Sequence, residues 1–204
     1  MHARVASFEQ INPSAVDEVI GRVRERIDAG QMPAGGKGGL MLIDRQRATS
    51  LGITFFDSAE AIDEAEPEFE RMGEEIPEEI RGRRTSVETY EVTIAEGGEG
   101  AKAARVSTLE GPRETLDEGM RHLTDNTLPP LRQIDGFKGI VGLGDRGSGR
   151  VKVVTLWETE QALSASEEQA NRLREEAAEG GGSQIAGVER YEVAIAQVPA
   201  VTTV

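Results

Sequence analysis

The chain has 204 residues (22.0 kDa), 37% of them apolar and 29% charged, which suits one large domain or two of about 100 residues. Its formal net charge of −14 repels phosphate backbones and argues against nucleic acid as a partner. With no cysteine and only two histidines, His2 and His122, the sequence excludes disulfides, thiolate nucleophiles and multi-histidine zinc sites, and no metal is expected.

Residues 3–9 alternate apolar and polar in short steps and predict a strand. Pro13-Ser14 opens a helix over 14–29 that carries Val16, Val19, Ile20, Val23 and Ile27 at helical spacing. A glycine-rich loop follows from Gly30 to Gly39, and then a hairpin of two strands, 40–45 and 50–57. Residues 59–72 and 74–80 read as acidic helices broken near Gly73, and 86–95 as the most regular strand. The second half repeats the order at 103–110, 113–132, 138–146, 150–158, 160–179 and 186–197. No apolar run reaches the roughly 18 residues of a membrane helix, and the N-terminus lacks a signal-peptide core, so a cytoplasmic chain with no membrane partner is expected.

The halves match residue by residue. Val87-Glu88-Thr89-Tyr90-Glu91-Val92 aligns with Val188-Glu189-Arg190-Tyr191-Glu192-Val193, an offset of 191 − 90 = 101. The same offset pairs Arg4 with Arg105, Asp44-Arg45 with Asp145-Arg146, and Phe56 with Trp157. The first helix fits better at 100, with Val16, Ile20 and Val23 against Leu116, Met120 and Leu123. One residue is therefore regained before Gly136. Two copies are too few for a solenoid, so each is expected to be a small domain: 1–95 and 103–197, joined by the Gly-rich linker 96–102 and followed by a tail, 198–204. The order βαββαβ, twice, predicts an α+β chain of two tandem ferredoxin-like repeats. A four-stranded sheet with helices on one face leaves the other open, and two such sheets bury both faces by packing sheet to sheet. Such a chain is expected to be a monomer, as an internal pseudo-dimer, or a dimer through other surfaces.

Asp135-Gly136-Phe137-Lys138-Gly139 and the run Val154-Thr155-Leu156-Trp157-Glu158-Thr159-Glu160 resemble the antibiotic biosynthesis monooxygenase-like group of the dimeric α+β barrel superfamily. The resemblance implies an intramolecular form of that barrel. It also implies cofactor-independent oxidation of a small aromatic or quinol-like substrate, with no metal or flavin. The haem-degrading branch of the superfamily uses an Asn, a Trp and a His. The matching positions are Ala104, Ser166 and Glu176 in the second copy and Ala3, Ala65 and Glu75 in the first, so haem degradation is not implied. Two alternatives stay open: a non-catalytic small-ligand-binding or structural barrel, and haem or porphyrin binding without degradation.

Candidate site residues cluster in the second copy. His122, with Asn126 one turn on, is a candidate proton acceptor at a pocket edge, or else a solvent-facing histidine. Trp157, the only tryptophan, is a candidate flat wall for a planar ligand or a core aromatic, and Phe137 accompanies it. Arg105, like Arg4, could neutralise an anionic ligand or form an ion pair. Any ligand pocket for a bicyclic aromatic is expected within 104–197, lined by Trp157, with His122 near its mouth.

Three further features read as structure. Gly142-Leu143-Gly144-Asp145-Arg146-Gly147 fits G-x-G-x-x-G but precedes a strand, so it is a hairpin turn. Gly35 to Gly39 lacks the ending of a phosphate loop, and the acidic run 63–79 is a solvated helix face. Two histidines do not furnish a confident Ser-His-Asp arrangement.

Overall fold

The computed structural model describes residues 1–202, so Thr203 and Val204 of the expected tail lie outside the described residues. The described residues form two compact units: Met1–Tyr90 with Val193–Gln197, and Glu91–Glu192 with 198–202.

The first unit contains β1 (His2–Glu9), α1 (Val16–Asp28), β2 (Gly36–Asp44), β3 (Thr49–Phe56), α2 (Ala59–Glu74), α3 (Glu78–Arg81) and the first half of β4 (Arg83–Gly97). β3 lies between β1 and β2, antiparallel to both, with Ala3 opposite Phe55. β4 joins at β1, and residues 193–197 of the last strand join at β2. Ala3, Val5, Ile53 and Phe55 are fully buried on the sheet, and α1 lays Val16, Val19 and Ile20 into the core. Ser58 caps α2 by accepting a hydrogen bond from the Ala61 amide. The helix runs through Gly73 rather than breaking there, since a glycine costs a helix only about 1 kcal/mol.

The second unit contains the rest of β4, β5 (Ala103–Glu110), α4 (Leu116–His122), α5 (Leu128–Leu131), β6 (Phe137–Asp145), β7 (Arg150–Trp157), α6 (Glu160–Ala165), α7 (Glu167–Gly180), β8 (Gln184–Gln197, through Glu192) and β9 (Val201–Thr202). Its strands run β8-β5-β7-β6-β4-β9, all antiparallel. Ala104 faces Leu156, each 101 residues beyond the Ala3–Phe55 pair. Both hairpins carry the same irregularity, between Gly36 and Gly39 and between Phe137 and Gly139. Thr159 caps α6 as Ser58 caps α2. The element order βαββαβ thus occurs twice with matching register.

The glycine-rich segment at 96–102 is shorter as a connection than its composition suggests, because β4 continues through Gly97. Gly97 sits at φ 72°, where a Cβ would come within 2.1 Å of the Lys138 carbonyl oxygen, so only glycine lets the strand pass that close to β6.

The helix expected at 113–132 is not uniform. A 3-10 turn at Arg113–Thr115 precedes α4, and a π-helical turn, Leu123–Thr127, separates α4 from α5. A π turn holds one more residue than an α turn. The surplus residue inferred from the change of offset, 100 at Leu123 and 101 at Gly136, is taken up in this stretch. The helix expected at 160–179 bends at Ser166, whose hydroxyl donates to the Leu163 carbonyl.

Candidate functional site

In the second unit a cavity of about 70 Å³ lies between the sheet and the helices. By the space one water needs, that holds about five waters. β5 presents Arg105, Ser107 and Leu109 to it, and β7 presents Val151, Val153 and Thr155, because alternate residues share one face of a strand. Met120, Leu123 and Leu131 close it from α4, the π turn and α5, and Leu173 from α7. The wall is mostly apolar with a few polar groups, among them Arg105, Ser107, Thr155 and Arg174, the composition of a small-molecule site.

Arg105 is 2% exposed. Its Nη2 donates to Glu167 Oε2 at 2.8 Å and to the Leu163 carbonyl at 2.9 Å. Its Nε has no partner among the described residues. The Trp157 ring stands 5.6 Å behind the guanidinium. Arg174, one turn beyond Ala170 on α7, also lines the cavity. It donates through Nε to Ser107 Oγ at 3.0 Å and through Nη1 to Asn171 Oδ1 at 2.8 Å, while its buried Nη2 is unpartnered among the described residues. Arg190 shares Glu167, at 2.5 Å. Burial opposes ionisation of Glu167, but hydrogen bonds from Arg190 and Arg105 outweigh it and hold the carboxyl below its ordinary range. Burial likewise lowers Arg105 and Arg174, and each is disfavoured further by a neighbouring arginine. Two guanidinium groups, those of Arg105 and Arg190, therefore share one glutamate, and Arg174 lines the same cavity.

The sequence-predicted residues divide. Arg105 is in the wall. Trp157 is not: it is fully buried, edge-on to Phe137 with ring centroids 5.7 Å apart, and packed against Ala103 and Leu163. Its indole N–H donates to Thr155 Oγ1 at 3.0 Å, so it supports the wall from one layer behind. The expected flat face for a ligand is thus a core aromatic, because β7 turns that side chain toward α6. Phe137 shares this layer. His122 and Asn126 are bonded to each other at 3.0 Å and lie outside the cavity lining, with the imidazole over Gly180. Arg174 escaped sequence reasoning, although an arginine within the stripe Ala170, Leu173, Ala177 was a readable signal.

The first unit is not without space. A more open cleft of about 450 Å³ includes Arg4, Phe8, Val19, Gly52, Thr54 and Phe69, many at positions matching those of the second unit. The expectation of room only within 104–197 is corrected: glycine at 52 where the second copy has Val153 leaves the first cleft wider. The arginine that matches Arg105, however, is neutralised. Arg4 binds both oxygens of Glu66, at 2.7 and 2.8 Å, and stacks 4.0 Å over Phe69. Ala170 and Arg174 replace Phe69 and Gly73 in the second copy.

Among the described residues, no group of three His, Asp or Glu side chains is placed to hold a metal ion, and no helix is long and apolar enough to cross a membrane. The positions Ala104 and Ser166, matched to haem-degrading side chains, are buried, and Ser166 serves Arg105.

No family model matches the chain. Among curated proteins, it is 40% identical over 91 residues to the uncharacterized protein Rv2557 of Mycobacterium tuberculosis, and 39% identical over 93 residues to Rv2558 of the same organism. The Rv2557 match covers 45% of this chain and 40% of that protein, so the chain spans well under two thirds of the curated relatives it matches. Solved structures are similar over the full length. An anthrone oxidase-like protein superposes with a TM-score of 0.66 at 17% identity, covering 98% of this chain and 92% of the other. A monooxygenase candidate from Fusobacterium nucleatum gives 0.64 at 14% identity, covering 100% and 95%. A heme-degrading enzyme from Listeria monocytogenes gives 0.53 at 10%, covering 94% and 99%. The chain shares its α+β fold with these monooxygenase-like and heme-degrading proteins.

Proposed function

We propose that the chain is a monooxygenase-like protein that binds a small aromatic or quinol-like molecule in the cavity of its second unit and oxidises it with dioxygen, without a cofactor. The observation that carries this reading is the apolar helix–sheet cavity with a single cationic end, in a fold shared with an anthrone oxidase-like protein. An electron-rich phenol supplies the electrons itself: one oxygen atom enters the ring carbon and the other leaves as water with the two hydrogens the substrate loses. The part played by this chain's residues is physical. Leu123, Val153 and Leu173 strip water from the ring, and the nearby guanidinium charges favour the ring hydroxyl in its ionised form. The duplicated ferredoxin-like repeat is part of the same proposal, the second copy carrying the site.

The test is oxygen uptake with 1-naphthol under ¹⁸O₂. The expected result is uptake above the uncatalysed rate, insensitive to chelators, with one labelled atom in the naphthoquinone. No uptake beyond the blank with a panel of one- and two-ring phenols overturns it.

A second reading, a binding protein without chemistry, is favoured by one observation: none of the side chains lining the cavity is a carboxylate, imidazole, phenol or amine able to take a proton near neutrality. Binding of the same phenols with no turnover is its signature. The third reading, haem or porphyrin binding, places its hope in His122, and a Soret shift on mixing with hemin that His122→Ala abolishes is what it requires.

A further inference from the structure

We infer that the cationic end of this cavity is a carboxylate-binding subsite, formed by Arg105 and Arg174, and that the protein's aromatic ligand carries a carboxylate group. The inference rests on the reading of the cavity as the ligand site and deepens it by naming the ligand's charge.

Three observations carry it. Arg105 Nε and Arg174 Nη2 are each buried and each without an acceptor among the described residues, although both side chains line the same cavity. A buried donor left unpaired is destabilising, the more so when charged, so two in one wall mark a place where an acceptor belongs. The charge balance agrees. Buried Arg105 has Glu167 as its carboxylate partner, and that carboxylate is shared with the exposed Arg190, while the half-buried Arg174 bonds Ser107 and Asn171. Two arginines thus reach one cavity wall with a single shared carboxylate between them, in a chain of net charge −14. Finally, the copy within the same chain shows the filled state. Arg4 gives Nε and Nη2 to both oxygens of one carboxylate, Glu66. At Arg105 the corresponding glutamate, Glu167, is drawn to Nη2 and Arg190, which leaves Nε vacant.

The chemistry selects a carboxylate over a phenol here. Two donors from two guanidinium groups suit the two oxygens of one carboxylate. A carboxylic acid also arrives ionised at neutral pH, and no wall residue is able to accept a proton from a neutral ligand. A ring with a carboxylate would set its apolar body against Leu123, Val153 and Leu173 and its head at the arginines.

The experiment compares 1-naphthoate with 1-naphthamide, its neutral isostere, by calorimetric titration of the full chain. 1-Naphthoate is expected to bind at least ten-fold more tightly. Arg174→Gln is expected to abolish that preference while leaving 1-naphthamide binding within about two-fold. Equal binding of the two ligands by the unaltered protein, or no binding of either, overturns the inference, as does a preference that survives Arg174→Gln. Because the wild-type comparison decides the matter alone, an unfolded variant does not rescue the idea. Binding without oxygen uptake refutes the monooxygenase reading and leaves the subsite standing, so the two failures are told apart.

Discussion

At the scale of residues, one glutamate organises the second unit's polar end. Among the described residues, Glu167 is the sole carboxylate hydrogen-bonded to Arg105, which is 2% exposed. Glu167→Gln should cost about 1–3 kcal/mol in urea unfolding, since it leaves a buried guanidinium less compensated. It should also tighten 1-naphthoate binding, because it removes the negative charge competing for the same donors. Looser binding would mean that Glu167 positions Arg105 rather than competes with the ligand. Glu66 and Glu167 share a sign in their pH dependence. The Arg4 hydrogen bond is the main cause lowering Glu66, and Arg190 and Arg105 outweigh desolvation to lower Glu167. A folded-state value below the unfolded one of about 4.3 means stability that is present above that pH and is lost as pH falls through the folded value. The free energy of unfolding should therefore drop below about pH 4 in the wild type and drop less steeply in Glu66→Gln, where Glu167 still titrates. The sequence showed Arg4 and Arg105 as equivalent, but not that one is satisfied and the other is not. That difference depends on where Arg190 reaches and on Ala170 standing in for Phe69, which only side-chain packing reveals.

At the scale of elements, the strands were legible and the helices only in part. Alternation placed β1, β3, β5 and β7 within a residue or so, since half-buried strands write their burial with period two. The change of offset between the copies gave an extra residue before Gly136, but not that a π turn at Leu123–Thr127 would share in absorbing it. Periodicity near 3.6 does not distinguish one π turn from its α neighbours. That turn matters, because it carries Leu123 and Thr127 into the cavity wall. Trp157 shows the same limit from another side. Its strand face was readable, but whether that face met a ligand or α6 was not. Strand β4 supplies an element-level test at its glycine. Gly97→Ala should cost about 2 kcal/mol or more, since φ is positive and the Cβ meets the Lys138 carbonyl, whereas Gly187→Ala, in open space, should stay within about 0.5 kcal/mol. Similar denaturation midpoints for the two variants would show that β4 does not pass β6 that closely.

At the scale of the whole molecule, each unit holds a helix–sheet cavity, and the proposed duplication treats them as two versions of one that have diverged. In the first, Phe69 covers Arg4 and Glu66 satisfies it. In the second, Ala170 leaves the space open and Arg174 adds a second cation. The proposed site is therefore placed in the second unit for its unsatisfied donors and not for cavity size, which is greater in the first. The substitution that separates the copies also tests the assignment. Ala170→Phe restores the first copy's aromatic and should fill the cavity at a cost of about 1–3 kcal/mol. The decisive measurement is oxygen uptake with 1-naphthol by wild type and by folded Ala170→Phe, side by side. Uptake by the wild type that Ala170→Phe abolishes is the predicted result; absence of uptake in the wild type, or equal uptake by both, contradicts an oxidation site in the second unit.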